Sequence, residues 1–337
     1  MNDTLLKEGE IGRKNPFSKL AKAREMNLLL ILLVFIIVMC FASPYFPHWS
    51  NISTLLSAMA TDGIIVIGMT IILIVRGIDL SVGSVMCLTM AVCGKLFLMG
   101  LNPWVAAIIA ICIAAAIGAG HGLLVTKANL SFFIVTLCTM GIVRGAVYVI
   151  SGGTPVSIVA VLKEAPSFRF LGQGWVGGII PMAVIIFVIL VVVMEFVTRK
   201  SAILRSVFYV GSSEKAALYS GIKVDKVKIL TCVACSVFAG IAGIIYLSKF
   251  SGVPMSAGQG TEMTAIAAAV IGGVSMNGGK GSVFGAILGL ALMTLVQNAL
   301  TLFNVQAFWQ DLIRYAIVLG AVAFDGIQQK MAQSKLT

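Results

Sequence analysis

The chain consists mostly of apolar runs that are long enough to cross a lipid bilayer as helices. A crossing helix needs about 20 mostly apolar residues, and the first run, Met26–Ser43, contains no charged residue. This run is longer than the apolar core of a cleaved signal peptide, so we expect an uncleaved first helix. The apolar runs predict ten helices, near residues 27–43, 60–75, 82–99, 104–125, 130–150, 179–197, 229–248, 262–276, 282–302 and 309–326. The predicted fold class is an all-α membrane protein with about ten transmembrane helices, some of them broken.

The composition excludes the other broad classes of protein. Of the 337 residues, 59% are hydrophobic and 11% are charged, whereas an ordinary soluble domain is about 25% charged. A soluble fold could not bury so much apolar surface, and a disordered chain would need the opposite composition. The 35 glycines fit helices that pack closely in lipid, where small residues let backbones approach.

The positive charges predict the orientation of the chain in the membrane. The net charge is +11, but the Lys and Arg residues cluster between the apolar runs, as the positive-inside rule expects, so we expect no nucleic-acid partner. With the N-terminus in the cytoplasm, most of these charges lie on the inner side and all four tryptophans lie near the outer boundary. We predict one transmembrane domain at 27–326, flanked by cytoplasmic tails at 1–26 and 327–337. Within that domain we predict a periplasmic loop at 151–178 and a cytoplasmic loop at 198–228.

Residues that could bind a metal or carry catalysis are nearly absent. The two histidines, His48 and His121, are isolated from each other and from any cysteine cluster. Cys232 and Cys235 form a CxxC pair, but the second pair of ligands that a zinc site needs is missing. We therefore predict no catalytic residue and no metal, and we expect the two cysteines to pack within a helix.

A glycine-rich run at residues 272–282, "GGVSMNGGKGS", invites comparison with a phosphate-binding loop. That loop has the pattern GxxxxGK followed by Ser or Thr. The pattern fails here, because Val274 stands where Gly is required and Gly281 stands where Ser or Thr is required. We predict that the chain has no cofactor and does not hydrolyse ATP by itself, so an energy source must come from elsewhere.

Asp79 is the strongest functional candidate inside the apolar runs. It lies in "RGIDLSVGS" (76–84), a polar, glycine-containing break between the second and third predicted helices. An unpaired charge in hydrocarbon is costly, and broken helices line the substrate path of many transporters. Asp79 either contacts the substrate or caps the third helix by accepting hydrogen bonds from its first N–H groups, and the two roles are compatible.

Three segments resemble the permeases of ribose-type ABC importers. The segment "YVGSSEKAALYSGIKVDKVKIL" (209–230) is similar to the cytoplasmic coupling loop of these permeases, and "RGIDLSVGSV" (76–85) to their G-G-I-D-L-S-V-G-S motif. The segment "PMSAGQGTEMTAIAAAVIGGVSMNGGKGSVFGAILG" (254–289) is similar to a third block of theirs. Three departures leave the transported sugar open: Ser213 stands where Asn is usual, Arg76 replaces a Gly, and Met263-Thr264 replaces Leu-Asp.

The resemblance implies a multi-pass permease of the bacterial inner membrane that moves a ribose-like monosaccharide or polyol. It implies three kinds of protein partner: a second permease, either another copy or a sister chain, cytoplasmic ABC ATPase subunits, and a periplasmic sugar-binding protein. A short helix around Glu214–Ser220, ended by Gly221, would dock into the ATPase. The implied coupling residues are Ser212, Ser213, Glu214, Lys215, Ala216, Ala217, Tyr219, Ser220 and Gly221. The residues expected along the translocation path are Asp79, Ser81, Gly83, Ser84, Glu262 and Thr264.

A second hypothesis belongs to a different class of transporter. Ten helices with few intramembrane charges also permit an ion-coupled secondary carrier, in which Asp79 or Glu262 would be the coupling carboxylate. That hypothesis gives no purpose to the charged segment 209–230. It predicts uptake by the lone chain, whereas an importer permease needs ATP and its partners.

Overall fold

The structure, a computed structural model, describes residues 24–333. The predicted tails at 1–26 and 327–337 therefore lie partly outside the described residues. Within the described part, fourteen helices follow one another along the chain: α1 (Arg24–Ala42), α2 (Trp49–Ile74), α3 (Val82–Leu98), α4 (Pro103–Lys127), α5 (Phe132–Ser151), α6 (Val159–Leu162), α7 (Pro166–Gln173), α8 (Met182–Lys200), α9 (Ala202–Ser212), α10 (Glu214–Tyr219), α11 (Val224–Phe250), α12 (Thr261–Ile271), α13 (Val283–Leu302) and α14 (Ala307–Gln333).

Each of the ten predicted apolar runs corresponds to one of these helices. Seven helices are long and apolar enough to cross a membrane, namely α1, α2, α4, α5, α11, α13 and α14. Three further apolar helices are shorter, namely α3, α8 and α12. The prediction of an all-α membrane protein is confirmed at this level, while the count of ten crossings and the cytoplasmic position of the termini stay predictions.

Helix α11 lies at the centre of the fold and packs against α2, α3 and α4. Glycines on α4 let its backbone approach α11 closely. A Cβ atom built on Gly118 would lie 2.6 Å from the carbonyl oxygen of Cys232, and one on Gly122 would lie 2.5 Å from the Cα of Ile229. Helix α2 is largely buried, whereas α1, α5 and α14 expose much of their apolar surface, as helices that face lipid or a membrane partner do.

The predicted outer loop 151–178 has regular structure of its own. It contains α6 and α7, together with strand β1 (Val156–Ser157) and strand β2 (Trp175–Val176). Strand β1 pairs antiparallel with β4 (Gly252–Val253), and β2 pairs with β3 (Ile180–Pro181). These two-residue strands are an addition to the predicted all-α class.

A buried side chain and a buried hydroxyl anchor this loop. Phe168 of α7 is fully buried, and its ring makes edge contacts with the rings of Phe97 and Trp104. The Ser248 hydroxyl of α11 donates to the carbonyl of Phe168 over 2.7 Å and accepts from the N–H of Gly172 over 2.9 Å. The loop is therefore tied to the ends of α3, α4 and α11.

Candidate functional site

The short helix expected near residues 214–220 is present as α10, and its two ends are capped. At the start, the Ser213 side chain accepts a hydrogen bond from the N–H of Ala216 over 3.3 Å, the usual geometry of an N-cap. At the end, Gly221 has a φ of 79°, and the N–H of Ile222 donates to the carbonyl of Ala217 over 3.0 Å. This left-handed glycine with a backward hydrogen bond is the arrangement that commonly ends a helix.

Most of the surface of α10 faces solvent. Tyr219 is 88% exposed and Leu218 is 62% exposed, which are large fractions for an aromatic and an aliphatic side chain. Ala216 is also exposed, whereas Ala217 is buried. The small size of Ala217 therefore serves packing within the chain, while Tyr219 and Leu218 offer the apolar surface that a docking partner would cover.

A cavity of about 400 Å³ opens beside α10. Five of the nine predicted coupling residues line it, because α9 and α10 meet at its wall. Its lining residues are Tyr209, Ser212, Ser213, Ala216, Ala217, Ser220 and Ile222. Of the other predicted coupling residues, Glu214 forms an ion pair of 2.8 Å with Lys228 at the start of α11, and Lys215 is exposed.

The break between α2 and α3 is buried inside the bundle. Asp79 is fully buried, and its Oδ1 atom accepts hydrogen bonds from the N–H of Ser81 over 2.8 Å and from the Ser81 hydroxyl over 2.6 Å. Asp79 thus fixes the turn just before α3 rather than bonding to the first N–H groups within that helix. Ser84 is also buried, and its hydroxyl has no hydrogen-bond partner among the described residues.

The second oxygen of Asp79 faces His121 of α4. Oδ2 lies 3.8 Å from the Nδ1 atom of His121, whose side chain is only 2% exposed. Neither Oδ2 nor either ring nitrogen has a hydrogen-bond partner among the described residues. Buried polar atoms are normally paired with protein or with water, so this small polar interior is a site that sequence reasoning missed, since nothing in the sequence links the two residues.

The two segments that contain the predicted path residues, 79–84 and 262–264, approach each other at Gly83. A Cβ atom on Gly83 would collide with the carbonyl oxygen of Gly258, so the start of α3 and the loop before α12 touch backbone to backbone. Glu262 accepts a hydrogen bond from the N–H of Gly260 over 3.2 Å, and Thr264 donates to the carbonyl of Gly260 over 3.2 Å. The structure therefore brings Gly83 together with the Glu262 segment, while the Asp79 side chain points to α4.

Arg144 holds the loop before α12 from the other side. Its guanidinium donates to the carbonyls of Met255 over 3.1 Å and Ala257 over 2.8 Å. Arg144 has no evident partner in the sequence, because backbone carbonyls of a distant loop leave no sequence pattern. The dipoles of these two carbonyls stabilise its positive charge.

The cysteines and acidic residues do not gather into a metal centre in the described part of the chain. No group of three or more His, Cys, Asp and Glu side chains is arranged to hold a metal ion there. Cys232 and Cys235 are buried free thiols. Each lies where a glycine of a neighbouring helix comes close, Gly118 against Cys232 and Gly68 against Cys235, which agrees with packing as their role.

Comparison with known proteins identifies the class. The family described as "Branched-chain amino acid transport system / permease component" matches residues 51–322. The chain is 34% identical to the ribose import permease protein RbsC of Escherichia coli K12, over 90% of this chain and 94% of that protein. It is 34% identical to RbsC of Bacillus subtilis 168, over 90% and 92% of the two chains. It is 31% identical to the D-allose transport system permease protein AlsC of Escherichia coli K12, over 98% of this chain and 100% of that protein.

These matches, with the apolar helices, define a multi-pass permease of the bacterial inner membrane. The chain belongs to this family of transport-system permease components. It is a transport subunit and not an enzyme. The predicted kinship with ribose-type importer permeases is confirmed, and the ion-coupled secondary carrier finds no support among the relatives. No solved structure matches the chain.

Proposed function

We propose that this chain is the membrane subunit of an ATP-binding cassette importer for a ribose-like monosaccharide or polyol. The observation that carries the proposal is the likeness, over nearly the whole chain, to permeases named for ribose and allose. A neutral polyhydroxylated cargo also fits the scarcity of intramembrane charge, since only 11% of all residues are charged.

In this proposal ten helices cross the membrane and both termini lie in the cytoplasm. Helix α10 then faces the cytoplasm and docks into a cleft of the ATPase subunit, with Leu218 and Tyr219 as its apolar contacts and Lys215 at its charged edge. The exposed helices α1, α5 and α14 meet lipid and a second permease. A separate periplasmic protein selects the sugar.

The translocation path is proposed to run past the break at 76–84 and the start of α12. Asp79, Ser81 and Ser84 are buried in the described conformation, so a transport cycle must uncover them by moving α3 relative to its neighbours. We expect a rigid-body movement biased by nucleotide, which is one of the known forms of conformational switching. In this proposal Glu262 and Thr264 form the opposite wall of the path, across the contact between Gly83 and Gly258.

The proposal is tested by reconstitution of the full chain with its ATPase and binding protein in proteoliposomes. We expect uptake of a labelled sugar that depends on ATP and on both partners. D-ribose, D-allose and L-leucine are compared, because the family description refers to amino acids and the relatives refer to sugars.

Two results would contradict this proposal. Uptake of leucine in preference to both sugars would reassign the cargo. Uptake by the lone chain that needs no ATP and stops when an uncoupler is added would instead favour the secondary carrier, with Asp79 or Glu262 as the coupling carboxylate.

A further inference from the structure

Arg76 lies at the end of α2 in a backbone conformation that is unusual for its residue type. Its φ is 64°, in the left-handed region where a side chain crowds the following carbonyl and where glycine is favoured. The related ribose-type motif has glycine at this place. A non-glycine residue persists in such a conformation only when surrounding contacts hold it there.

The contacts of Arg76 are two hydrogen bonds to the end of α9. The Nε atom donates to the carbonyl of Gly211 over 2.7 Å, and the Nη2 atom donates to the carbonyl of Ser212 over 2.7 Å. The last carbonyls of a helix lack partners within the helix and carry its negative partial charge. One rigid guanidinium therefore satisfies two of them, and Ser213, the N-cap of α10, is the next residue in the chain.

A third segment completes the contact. The N–H of Gly279 donates to the carbonyl of Ile74 over 2.9 Å. Glycine is required at Gly211, because a Cβ atom there would collide with the carbonyl oxygen of Ile74. The end of α2, the end of α9 and the turn at Gly278–Gly279 thus form a three-way junction, which we call the Arg76 junction.

We propose that Arg76 is a positioning residue that ties the coupling helix α10 to the break between α2 and α3. A displacement of α10 by the ATPase is then passed through Ser212 and Arg76 to the segment 76–81, which contains Asp79. This inference rests on the proposed function and extends it by naming the route of energy transfer within the chain.

The alternative route from α10 is weaker. The chain itself joins α10 to α11 through residues 220–223, and the ion pair of Glu214 with Lys228 adds a side-chain link that is partly exposed and constrains position poorly. The two bonds of Arg76 join a planar guanidinium to fixed backbone carbonyls, which gives a more directional link. Movement of α10 is therefore expected to reach the break at Asp79 before it reaches the middle of α11.

The experiment compares Arg76→Gly and Arg76→Lys with the wild-type chain in proteoliposomes that contain the ATPase and binding protein. D-ribose is the transported probe, and the readout is the amount of ribose imported per ATP hydrolysed. Arg76→Gly relieves the backbone strain but removes both hydrogen bonds, so we expect an assembled complex that hydrolyses ATP while the import yield per ATP falls at least about fivefold. Arg76→Lys retains one compact donor and is expected to give an intermediate yield.

Lys226→Ala is the matched control, since it removes one positive charge from an exposed residue at the start of α11. It is expected to leave the yield of imported ribose per ATP unchanged.

A second measurement follows hydrogen exchange of residues 77–81 when the ATPase is added. Exchange there is expected to change in the wild-type complex and to stay constant with Arg76→Gly, while α10 is protected in both.

The inference is overturned if Arg76→Gly imports ribose with the wild-type yield. It is also overturned if import and hydrolysis fall together in proportion to lost assembly, because that result describes a purely structural residue. A wild-type complex without ATP-driven import would instead contradict the proposed function, so the two failures are distinguishable.

Discussion

Asp79 uses its two carboxylate oxygens in different ways. Oδ1 accepts two hydrogen bonds from Ser81 and so holds the turn before α3, whereas Oδ2 faces the His121 ring. The two bonds from Ser81 require an acceptor oxygen, which the neutral amide of Asn also provides. The acceptor, and not the negative charge, is therefore the property that we expect to matter for the break.

Substitution of Asp79 tests this assignment. Asp79→Ala leaves the buried N–H and hydroxyl of Ser81 without an acceptor, at a cost of about 1–3 kcal/mol for each unsatisfied group. We expect strongly impaired ATP-driven uptake for Asp79→Ala. Asp79→Asn keeps an acceptor oxygen and is expected to retain much of the uptake, measured in the same proteoliposomes. Full uptake by the Ala variant would remove Asp79 from the functional residues.

At the residue scale, the sequence predicts one member of the Asp79–His121 pair and not the other. Asp79 is recognisable because an acid interrupts an apolar run within a family-like motif. His121 follows Gly120 near a helix end and has no such signal, since its partner is brought close only by the packing of α4. Arg144 is similar, because its partners are backbone carbonyls that any sequence would supply.

At the scale of helices, the apolar runs predict which elements exist better than where they end. Helix α2 begins at Trp49, before the predicted residue 60, because its first turns include polar residues that a hydropathy rule excludes. Helix α11 begins at Val224 instead of 229 for a related reason: its charged first turn pairs Asp225 with Lys127 of α4 over 2.7 Å. Helix α12 ends at Ile271, before the predicted 276, where Gly273 takes a φ of 98°.

The structure of α10 decides how the helix can be disrupted. Proline is tolerated in the first turn of a helix but removes a hydrogen bond and clashes when placed further along. Leu218→Pro lies in the last turn and is 62% exposed, so it should break α10 without creating a core cavity, and it also removes one of the two apolar docking side chains. We expect the free energy of ATPase binding to weaken by about 3 kcal/mol, the cost of a proline within a helix. This corresponds to roughly 100-fold weaker binding, measured by co-purification and by ATP-driven uptake.

Glu214→Pro is the control for this prediction. Glu214 is the first residue of α10, where proline fits, and its ion pair with Lys228 is partly exposed and contributes little. We expect most of the ATPase binding to remain. Equal effects of the two prolines would show that the helical form of α10 is not what the ATPase recognises.

Packing of α4 on α11 gives a prediction for stability. A Cβ atom on Gly118 would lie 2.6 Å from a backbone oxygen of Cys232, whereas one on Gly120 of the same helix would have no neighbour within 4 Å. We expect Gly118→Ala to destabilise the protein by about 1–3 kcal/mol. Gly120→Ala should be neutral or slightly stabilising, since Ala is the better helix former. Thermal unfolding in detergent measures both, and equal midpoints would contradict the close approach of α4 and α11.

At the scale of the whole molecule, the unequal burial of the helices indicates how the subunit sits among its neighbours. Helices α2, α3 and α11 form the interior, while α1, α5 and α14 leave apolar side chains uncovered. A bilayer and a second permease can cover such surfaces, and water cannot do so without a large penalty. Composition predicts this need for lipid, but it does not say which helices face outward, because all of the helices are apolar.

The proposed orientation is tested by labelling single cysteines with a reagent that does not cross membranes. Lys215→Cys places the thiol on α10, and Lys163→Cys places it in the loop 151–178, with both positions exposed. We expect Lys163→Cys to react in spheroplasts and Lys215→Cys to react only in inverted vesicles. The unsubstituted chain serves as background because Cys40, Cys112 and Cys138 are exposed on the protein. Reaction of Lys215→Cys from outside would invert the topology and exclude docking of α10 to a cytoplasmic ATPase.

The bare contact between Gly83 and Gly258 has a mechanical consequence. Interlocked side chains resist separation, because pulling them apart leaves voids and exposes apolar surface to water. At Gly83 and Gly258 no side chain has to be disengaged, and peptide groups that become exposed there can form hydrogen bonds with water. We therefore expect α3 to separate from the loop before α12 at this contact without disengaging interlocked side chains, and water to enter there when the two segments move apart.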